Sequence, residues 1–389
     1  MKKPPSHLRF THIRLVNWRN FLKAEASLGG RAFFVGPNAS GKSNLLDAFR
    51  FLRDLVKPVG GGFVSAVEAR NGISAIRCLQ ARGRNSYVEI DVSVGNDEEP
   101  ALWSYRIRFT KVGREPFATI AEEDIKLRGE TIKLQKRGKD DVDFLPFTQT
   151  LLQQASTNID FRDLVTFFAS IRYLHVVPQI VRDPRRSLDD KEDPFGGDLL
   201  KRISETNQRT RESRLKRIAQ ALSIAVPQFV DLKLDQDSEG RPHLKAGFKH
   251  WRPNPSYQTE EVFSDGTLRL IGFLWSLSEN EGPLLLEEPE LSLHADVVRQ
   301  LPSMMHRTQR HKSRQIIVTT HSDAMVDSEG IGLNEVFILK VGDIGTTIES
   351  GIDDNEIVEQ VRGGFTLAEA VMPKARPRDI TQLSFIGEL

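Results

Sequence analysis

The stretch Arg31 to Asn44, RAFFVGPNASGKSN, limits what this chain can fold into more than any other. An apolar run, Ala32 to Val35, breaks at Gly36, passes through Pro37-Asn38-Ala39-Ser40 to Gly41-Lys42-Ser43, and meets the helix-like run from Asn44 to Phe49. Strand, glycine loop and helix in that order are what a phosphate-binding P-loop requires. The glycines let backbone N–H groups turn inward around phosphates, and the following helix faces them with its positive dipole end. Lys42 then sits on the β/γ-phosphates and Ser43 on Mg²⁺.

A chain of 389 residues can bury a large core and is expected to form two or three lobes. Lys plus Arg (54) nearly cancels Asp plus Glu (53), so any nucleic-acid contact has to come from local patches. The single cysteine, Cys78, excludes an intramolecular disulfide and reads as a small buried hydrophobe. Met1-Lys2-Lys3-Pro4-Pro5 is basic, but no apolar run of secretory or membrane-spanning length follows. A soluble, cytoplasmic protein is the expectation.

His7 to Trp18 alternates in two pieces whose parity shifts, as a bulged strand allows, and is expected beside the P-loop strand. Leu45, Leu46, Phe49, Leu52 and Leu55 have helical spacing, and Pro58 and Gly60-Gly61-Gly62 follow as a linker or a lid. From Tyr87 the texture turns to period two, in Tyr87–Val94, Trp103–Phe109 and shorter runs near Ile125 and Ile132, which predicts an inserted antiparallel sheet. Gln80, just before it, is either a Mg²⁺-contacting glutamine or an ordinary exposed one. Phe161–Ile171 and Ser204–Ala225 read as helices, the second carrying Arg209, Arg211, Arg214, Lys216 and Arg217, which either track a phosphate backbone or form a solvated face. Between them a surface loop with the acidic cluster Asp189 to Asp193 is expected. Val230–Leu234 and His243–His250 read as strands around a turn at Asp237–Pro242.

Three later stretches follow the P-loop in order. Phe263-Ser264-Asp265-Gly266-Thr267-Leu268-Arg269 opens an apolar helix with Ser264 as N-cap. Pro283 to Glu290, PLLLEEPE, is an apolar strand ending in adjacent carboxylates; acids placed there hold a cation or a water, and Glu290 reads as a surface acid at a helix start. Gln315 to Ser322, QIIVTTHS, is a second buried strand delivering Thr320, His321 and Ser322 at its carboxyl end, where open α/β sheets bind ligands.

GPNASGKSN, FSDGTLRL, LLLEEPELSLH and IIVTTHS together resemble the P-loop, signature, Walker B with D-loop, and His-switch of ATP-binding-cassette (ABC) ATPases, in their soluble, SMC-related DNA-maintenance branch that includes RecF and the ATPase part of OLD nucleases. The resemblance covers about residues 7 to 56 and 258 to 350. It implies an α/β fold: an ABC-type mixed sheet flanked by helices, with the inserted antiparallel sheet and a helical subdomain. It implies ATP in a cradle of Gly36, Pro37, Asn38, Ala39, Ser40, Gly41, Lys42, Ser43 and Asn44. Glu287 would support Mg²⁺, Glu288 would polarise the attacking water and His321 would sense the γ-phosphate. Ser264 and Gly266 would act in trans, on ATP held by a second subunit, which implies a homodimer. Two departures stand out: Glu287 where Asp is common, and Ala295 where proline often follows the D-loop histidine, here His294.

The expected segments are 1–86 with the P-loop, 87–150 with the antiparallel sheet, 151–228 helical, 229–350 with the remaining motifs, and 351–389 as a tail. The roughly 220 residues between Ser43 and Ser264 carry no heptads, which excludes a long coiled-coil arm. The signature lacks the Gly-Gly-Gln pattern of membrane transporters. About 65 residues follow His321, too few for a Toprim nuclease domain, so any nuclease is expected on a separate partner protein. The leading expectation is an ATP-driven dimeric switch with slow turnover that senses DNA or a foreign trigger and controls a separate effector, such as a Toprim-like nuclease, in phage defence. A RecF-like repair ATPase on duplex DNA and a nucleotide-gated scaffold are the alternatives.

Overall fold

The computed structural model describes residues 8–376, apart from 82, 84–85, 112–116, 139–142, 155–157, 184–192 and 280–281. The chain opens with β1 (Arg9–Trp18), β2 (Phe21–Ser27) and β3 (Arg31–Val35), then α1 (Lys42–Leu55) and two short helices, α2 (Phe63–Glu68) and α3 (Ile73–Ile76). The period-two region forms β4 (Val88–Gly95), β5 (Trp103–Lys111), β6 (Ala118–Leu127) and β7 (Glu130–Lys136). α4 (Arg162–Ala169), β8 (Arg172–Leu174), α5 (Pro178–Val181), α6 (Leu199–Glu205) and α7 (Gln208–Ala225) make up the middle. The strands β9 (Phe229–Gln236), β10 (Pro242–Phe248) and β11 (Ser256–Thr259) lead into α8 (Asp265–Ser278), β12 (Leu284–Glu287), α9 (Ala295–Lys312) and β13 (Ile316–Thr320). The described chain ends with α10 (Asp323–Val326), β14 (Val336–Gly342), β15 (Gly345–Ser350), α11 (Asn355–Arg362) and α12 (Leu367–Val371).

The central sheet has the order β15-β14-β3-β13-β12-β8, and all its neighbours are parallel except β15, which returns antiparallel on β14. Its inner strands β3, β12 and β13 are buried along nearly their whole length because both faces are covered. Side chains alternate between the two cores, as the pleat demands. Phe34, Leu285, Ile317, Phe337 and Leu339 face α1 and the second sheet. Phe33, Val35, Leu284, Leu286, Ile316, Val318 and Ile338 face the core shared with α7, α8 and α9.

The second sheet is antiparallel, in the order β2-β1-β4-β5-β6-β7. Two expectations change here. β1 does not lie beside β3; it pairs with β2 and β4, with the anticipated bulge between Phe10 and His12. The period-two region is therefore continuous with the amino-terminal strands. The reason is patterning: β1 alternates, which suits a sheet with one covered face, whereas β3's neighbours are apolar throughout. Buried Gln315 bridges the two sheets, its Oε1 accepting from Phe10 N–H (2.9 Å) and its Nε2 donating to the carbonyls of Phe10 (2.7 Å) and Gly29 (2.8 Å). Trp18 donates its indole N–H to the Asn44 carbonyl (2.7 Å), tying the same sheet to the first turns of α1.

The expected helix from Ser204 to Ala225 is two helices. It breaks at Thr206-Asn207, where the Asn207 side chain accepts from Arg209 N–H and caps α7. The acidic cluster expected around Asp189 lies outside the described residues except for Asp193, whose carboxylate accepts from Phe195 N–H. Among the described residues no helix is long and apolar enough to cross a membrane.

Candidate active site

Three parallel strands deliver the predicted residues to one edge. β3 ends at Val35, just before Gly36, β12 at Glu287 and β13 at Thr320, with the paired register Glu287–Thr319 and Thr320–Val35. That is the carboxyl edge, where open α/β sheets present their ligand sites.

Gly41 takes a left-handed conformation (φ 97°) and begins α1, whose N-terminus has no side-chain cap. A Cβ on Gly41 would fall 2.1 Å from Asn20 Nδ2, so no side chain fits there. Ser40 Oγ is buried without a hydrogen-bond partner. An uncapped helix start, an orphaned hydroxyl and a turn closed to side chains suit a polyphosphate. Asn20 holds this loop from the second sheet: its Nδ2 donates to Ser40 O (2.9 Å) and Thr346 Oγ1 (2.7 Å), and its Oδ1 accepts from Asn44 Nδ2 (2.8 Å).

Lys42, only 6% exposed, donates Nζ to the carbonyls of Gly36 (2.9 Å) and Pro37 (3.0 Å) and lies 3.5 Å from Glu288 Oε1. The same Glu288 oxygen is 3.0 Å from His321 Nδ1. Lys42, Glu288 and His321 therefore form one line of contacts. Glu288 has a left-handed backbone (φ 43°), and its N–H donates to Thr319 O (3.0 Å). A non-glycine residue held this way stores strain, and such residues concentrate at functional sites.

Ser43 Oγ donates to Glu287 Oε1 and Tyr173 OH to Glu287 Oε2, both at 2.5 Å. Burial, then the Glu287 charge, pushes the Tyr173 phenol far above its ordinary value, so it remains a donor. Among the described residues no group of three His, Cys, Asp or Glu could hold a metal unaided. Ser43 and Glu287 offer two oxygens side by side, which fits Mg²⁺, an ion that takes few protein ligands and keeps phosphate and water for the rest. Gln80 is exposed in a turn after Cys78, and no hydrogen bond of the described residues joins it to this group.

Glu290 corrects a sequence expectation. It is buried, not a surface acid; it accepts from Thr320 Oγ1 (2.5 Å) and His321 N–H (3.4 Å), and so holds the end of β13. Burial raises its carboxyl above the ordinary range, against the pull of the Thr320 hydrogen bond.

Ser264 caps α8 by accepting from Thr267 N–H (3.2 Å) and remains exposed. A Cβ on Gly266 would lie 2.6 Å from Ser292 O, so the signature turn packs directly on the D-loop of its own chain. Ser264 and Gly266 make no hydrogen bond with the P-loop among the described residues. His294 caps α9, accepting from Asp296 N–H (3.3 Å), and Ala295 begins that helix. Sequence reasoning missed Tyr173, Asn20 and the burial of Glu290. A tyrosine in the three-residue strand β8 and an asparagine in a turn carry no motif.

Solved structures with a similar fold include Smc heads. An SmcHead bound to the C-winged helix domain of ScpA is 15% identical, with a TM-score of 0.56, covering 87% of this chain and 97% of that one. An Smc head domain with an extended coiled coil, bound to the C-terminal domain of ScpA and derived from Pyrococcus furiosus, is 14% identical with a TM-score of 0.52, covering 91% and 100%. An Smc head with a coiled coil and joint from Pyrococcus yayanosii is 12% identical with a TM-score of 0.50, also covering 91% and 100%. At such identities the likeness concerns the fold. No curated protein matches the chain. A family model described as "AAA domain, putative AbiEii toxin, Type IV TA system" matches residues 31–327, from the first residue of the P-loop strand to just past the histidine switch. The chain belongs to that AAA-domain family, and its fold is similar to that of Smc head domains.

Proposed function

We propose that this chain binds ATP at Gly36–Asn44, hydrolyses it slowly, and uses the cycle to open and close a homodimer that controls a separate effector. The observation that carries this reading is the line Lys42–Glu288–His321, with contacts of 3.5 and 3.0 Å. Lys42 leaves the Gly36 and Pro37 carbonyls for the phosphates. Glu288, released from Lys42, accepts a proton from water, and His321 orients the same carboxylate oxygen. Ser43 and Glu287 would hold Mg²⁺, which when bound would supply charge neutralisation on the phosphate oxygens. Tyr173 fixes the second Glu287 oxygen. The longer reach of Glu287, compared with aspartate, fits an indirect, water-mediated contact and slow turnover.

One copy leaves the far side of the nucleotide open to water, and closure by the exposed Ser264 and the Gly266 turn of a second copy would supply the missing donors. The D-loop contact of Gly266 gives that turn a fixed position. The effector reading is supported by the family's description as a "putative AbiEii toxin, Type IV TA system" and by the partner-bound state of a similar Smc head. A Toprim-like nuclease in anti-phage defence is the proposed effector.

Glu288→Gln tests the chemistry. ATP binding, measured by calorimetry, should persist, while hydrolysis falls about a thousandfold and ATP-bound dimer accumulates. Hydrolysis within a few-fold of the parent would remove Glu288 from its role.

A further inference from the structure

α7, α8 and α9 enclose a groove of about 550 Å³ on the flank of the molecule, lined by residues that take no part in the site above. Arg214 and Arg217 come from one face of α7, at i and i+3. Arg307, His311 and Lys312 come from one face of α9. The floor is apolar, built from Ile218, Leu277 and Met304. Among the described residues that line it, none is an Asp or a Glu.

Among the described residues, the hydrogen-bond and ring partners of Arg214, Arg217, Arg307 and Lys312 are neutral groups. Arg214 lies over the Trp275 ring (5.4 Å), Arg217 donates to Ser213 O and Oγ (3.3 Å each), and Arg307 donates to Ser303 O (3.4 Å). Lys312 caps α8, donating to the carbonyls of Leu277 (3.2 Å), Ser278 (2.5 Å) and Glu279 (3.2 Å). Burial, followed by the charges of Arg214, Arg314 and Arg217, pushes the Lys312 ammonium down to about 8. The Glu279 charge opposes this shift without cancelling it, so Lys312 lies among more positive than negative neighbours. The opposite flank of α7 is different: the groove there places Glu212 and Asp231 among Arg211, Lys216 and Lys233. The chain as a whole is balanced, at +1. Like charges placed together cost stability unless an anion occupies the space between them.

We propose that the groove between α7, α8 and α9 is a second anion site that takes a phosphate-bearing ligand of nucleotide size, its phosphates on Arg214, Arg217 and Arg307 and its less polar part on Ile218, Leu277 and Met304. The volume suits a small ligand, and guanidinium groups suit phosphate oxygens bidentately. The same chemistry is offered by a free nucleotide and by one unit of a nucleic-acid strand.

The test uses the full chain carrying Lys42→Ala, in which the P-loop cation is gone, so its outcome does not depend on the ATP cycle proposed above. ADP binding is followed by calorimetry, and binding of a fluorescein-labelled short oligothymidylate by anisotropy. At least one probe should bind. Adding Arg214→Gln with Arg307→Gln, which keeps stems of similar bulk, should weaken that binding about tenfold or more. Adding Lys216→Gln, on the other flank of α7, should change it less than about twofold. Binding of ADP alone identifies a free nucleotide, and binding of the oligothymidylate identifies a strand. No binding of either probe up to millimolar concentration, or equal binding by the paired arginine variant, overturns the proposal.

Discussion

Glu123 in β6 and Glu287 at the end of β12 are both acids drawn out of water, and their neighbours differ in kind. Glu123 is sealed inside the antiparallel sheet, where it accepts from Tyr105 OH (2.9 Å), Leu151 N–H (2.9 Å) and the Thr150 hydroxyl. Every partner belongs to a packed element and has nowhere to go. Glu287 accepts from Tyr173, which is fixed, and from Ser43, which is exposed and stands at the uncapped start of α1. A buried carboxylate is thus not itself the sign of a site. The sign is a carboxylate with one partner that a ligand can replace, at the carboxyl edge of parallel strands.

That contrast can be broken by pH. Burial lifts Glu123 from 4.5 to about 7, against the pull of its hydrogen-bond donors. An acid raised in the folded state is protonated in both states below the unfolded value, so its contribution is fully present there and is lost as pH rises through the folded value. Wild-type stability, measured by denaturant unfolding, should therefore fall between about pH 4.5 and about 7 by about 3 kcal/mol relative to Glu123→Gln, then level off. Parallel curves for the two proteins would show that Glu123 is not the buried acid described.

A smaller effect sharpens the other half of the comparison. Tyr173→Phe removes one donor from Glu287 while leaving Ser43 in place. The Mg²⁺ concentration for half-maximal hydrolysis should rise about tenfold, the usual scale for a residue that positions a metal ligand. Thermal stability should move by no more than about 1 kcal/mol. An unchanged Mg²⁺ midpoint would make Tyr173 a packing residue only.

The two regions also differ in how far the sequence exposes them. Gly36 to Ser43, Glu287-Glu288 and His321 are legible because phosphate and carboxylate chemistry demands particular residue types at a strand end, and the apolar runs of β3, β12 and β13 announce those ends. The alternation from Tyr87 reveals the antiparallel sheet, and the Ser264 cap reveals the start of α8. The supporting shell is not legible, because it is assembled across the chain. Tyr173 reaches Glu287 over 114 positions, Gln315 reaches Phe10 over 305, and Asn20 reaches Thr346 over 326. None of these residues sits in a local pattern, and only tertiary placement gives them their partners. Placement also explains β1: its alternation identifies a strand with one covered face but not the sheet that receives it. The burial of Glu290 is hidden for the same reason, since nothing local says that β13 closes over it.

The central claim is that Lys42 and Ser264 serve one nucleotide from two different copies of the chain, and mixing two disabled variants tests it most directly. Lys42→Ala and Ser264→Arg should each abolish hydrolysis alone. In an equal mixture, half the dimers are mixed, and each mixed dimer holds one intact site, built from the P-loop of one copy and the signature of the other. Steady-state phosphate release should therefore recover to about a quarter of the wild-type rate at the same total protein. A mixture as inactive as its two components, or full activity of Ser264→Arg alone, would contradict the account.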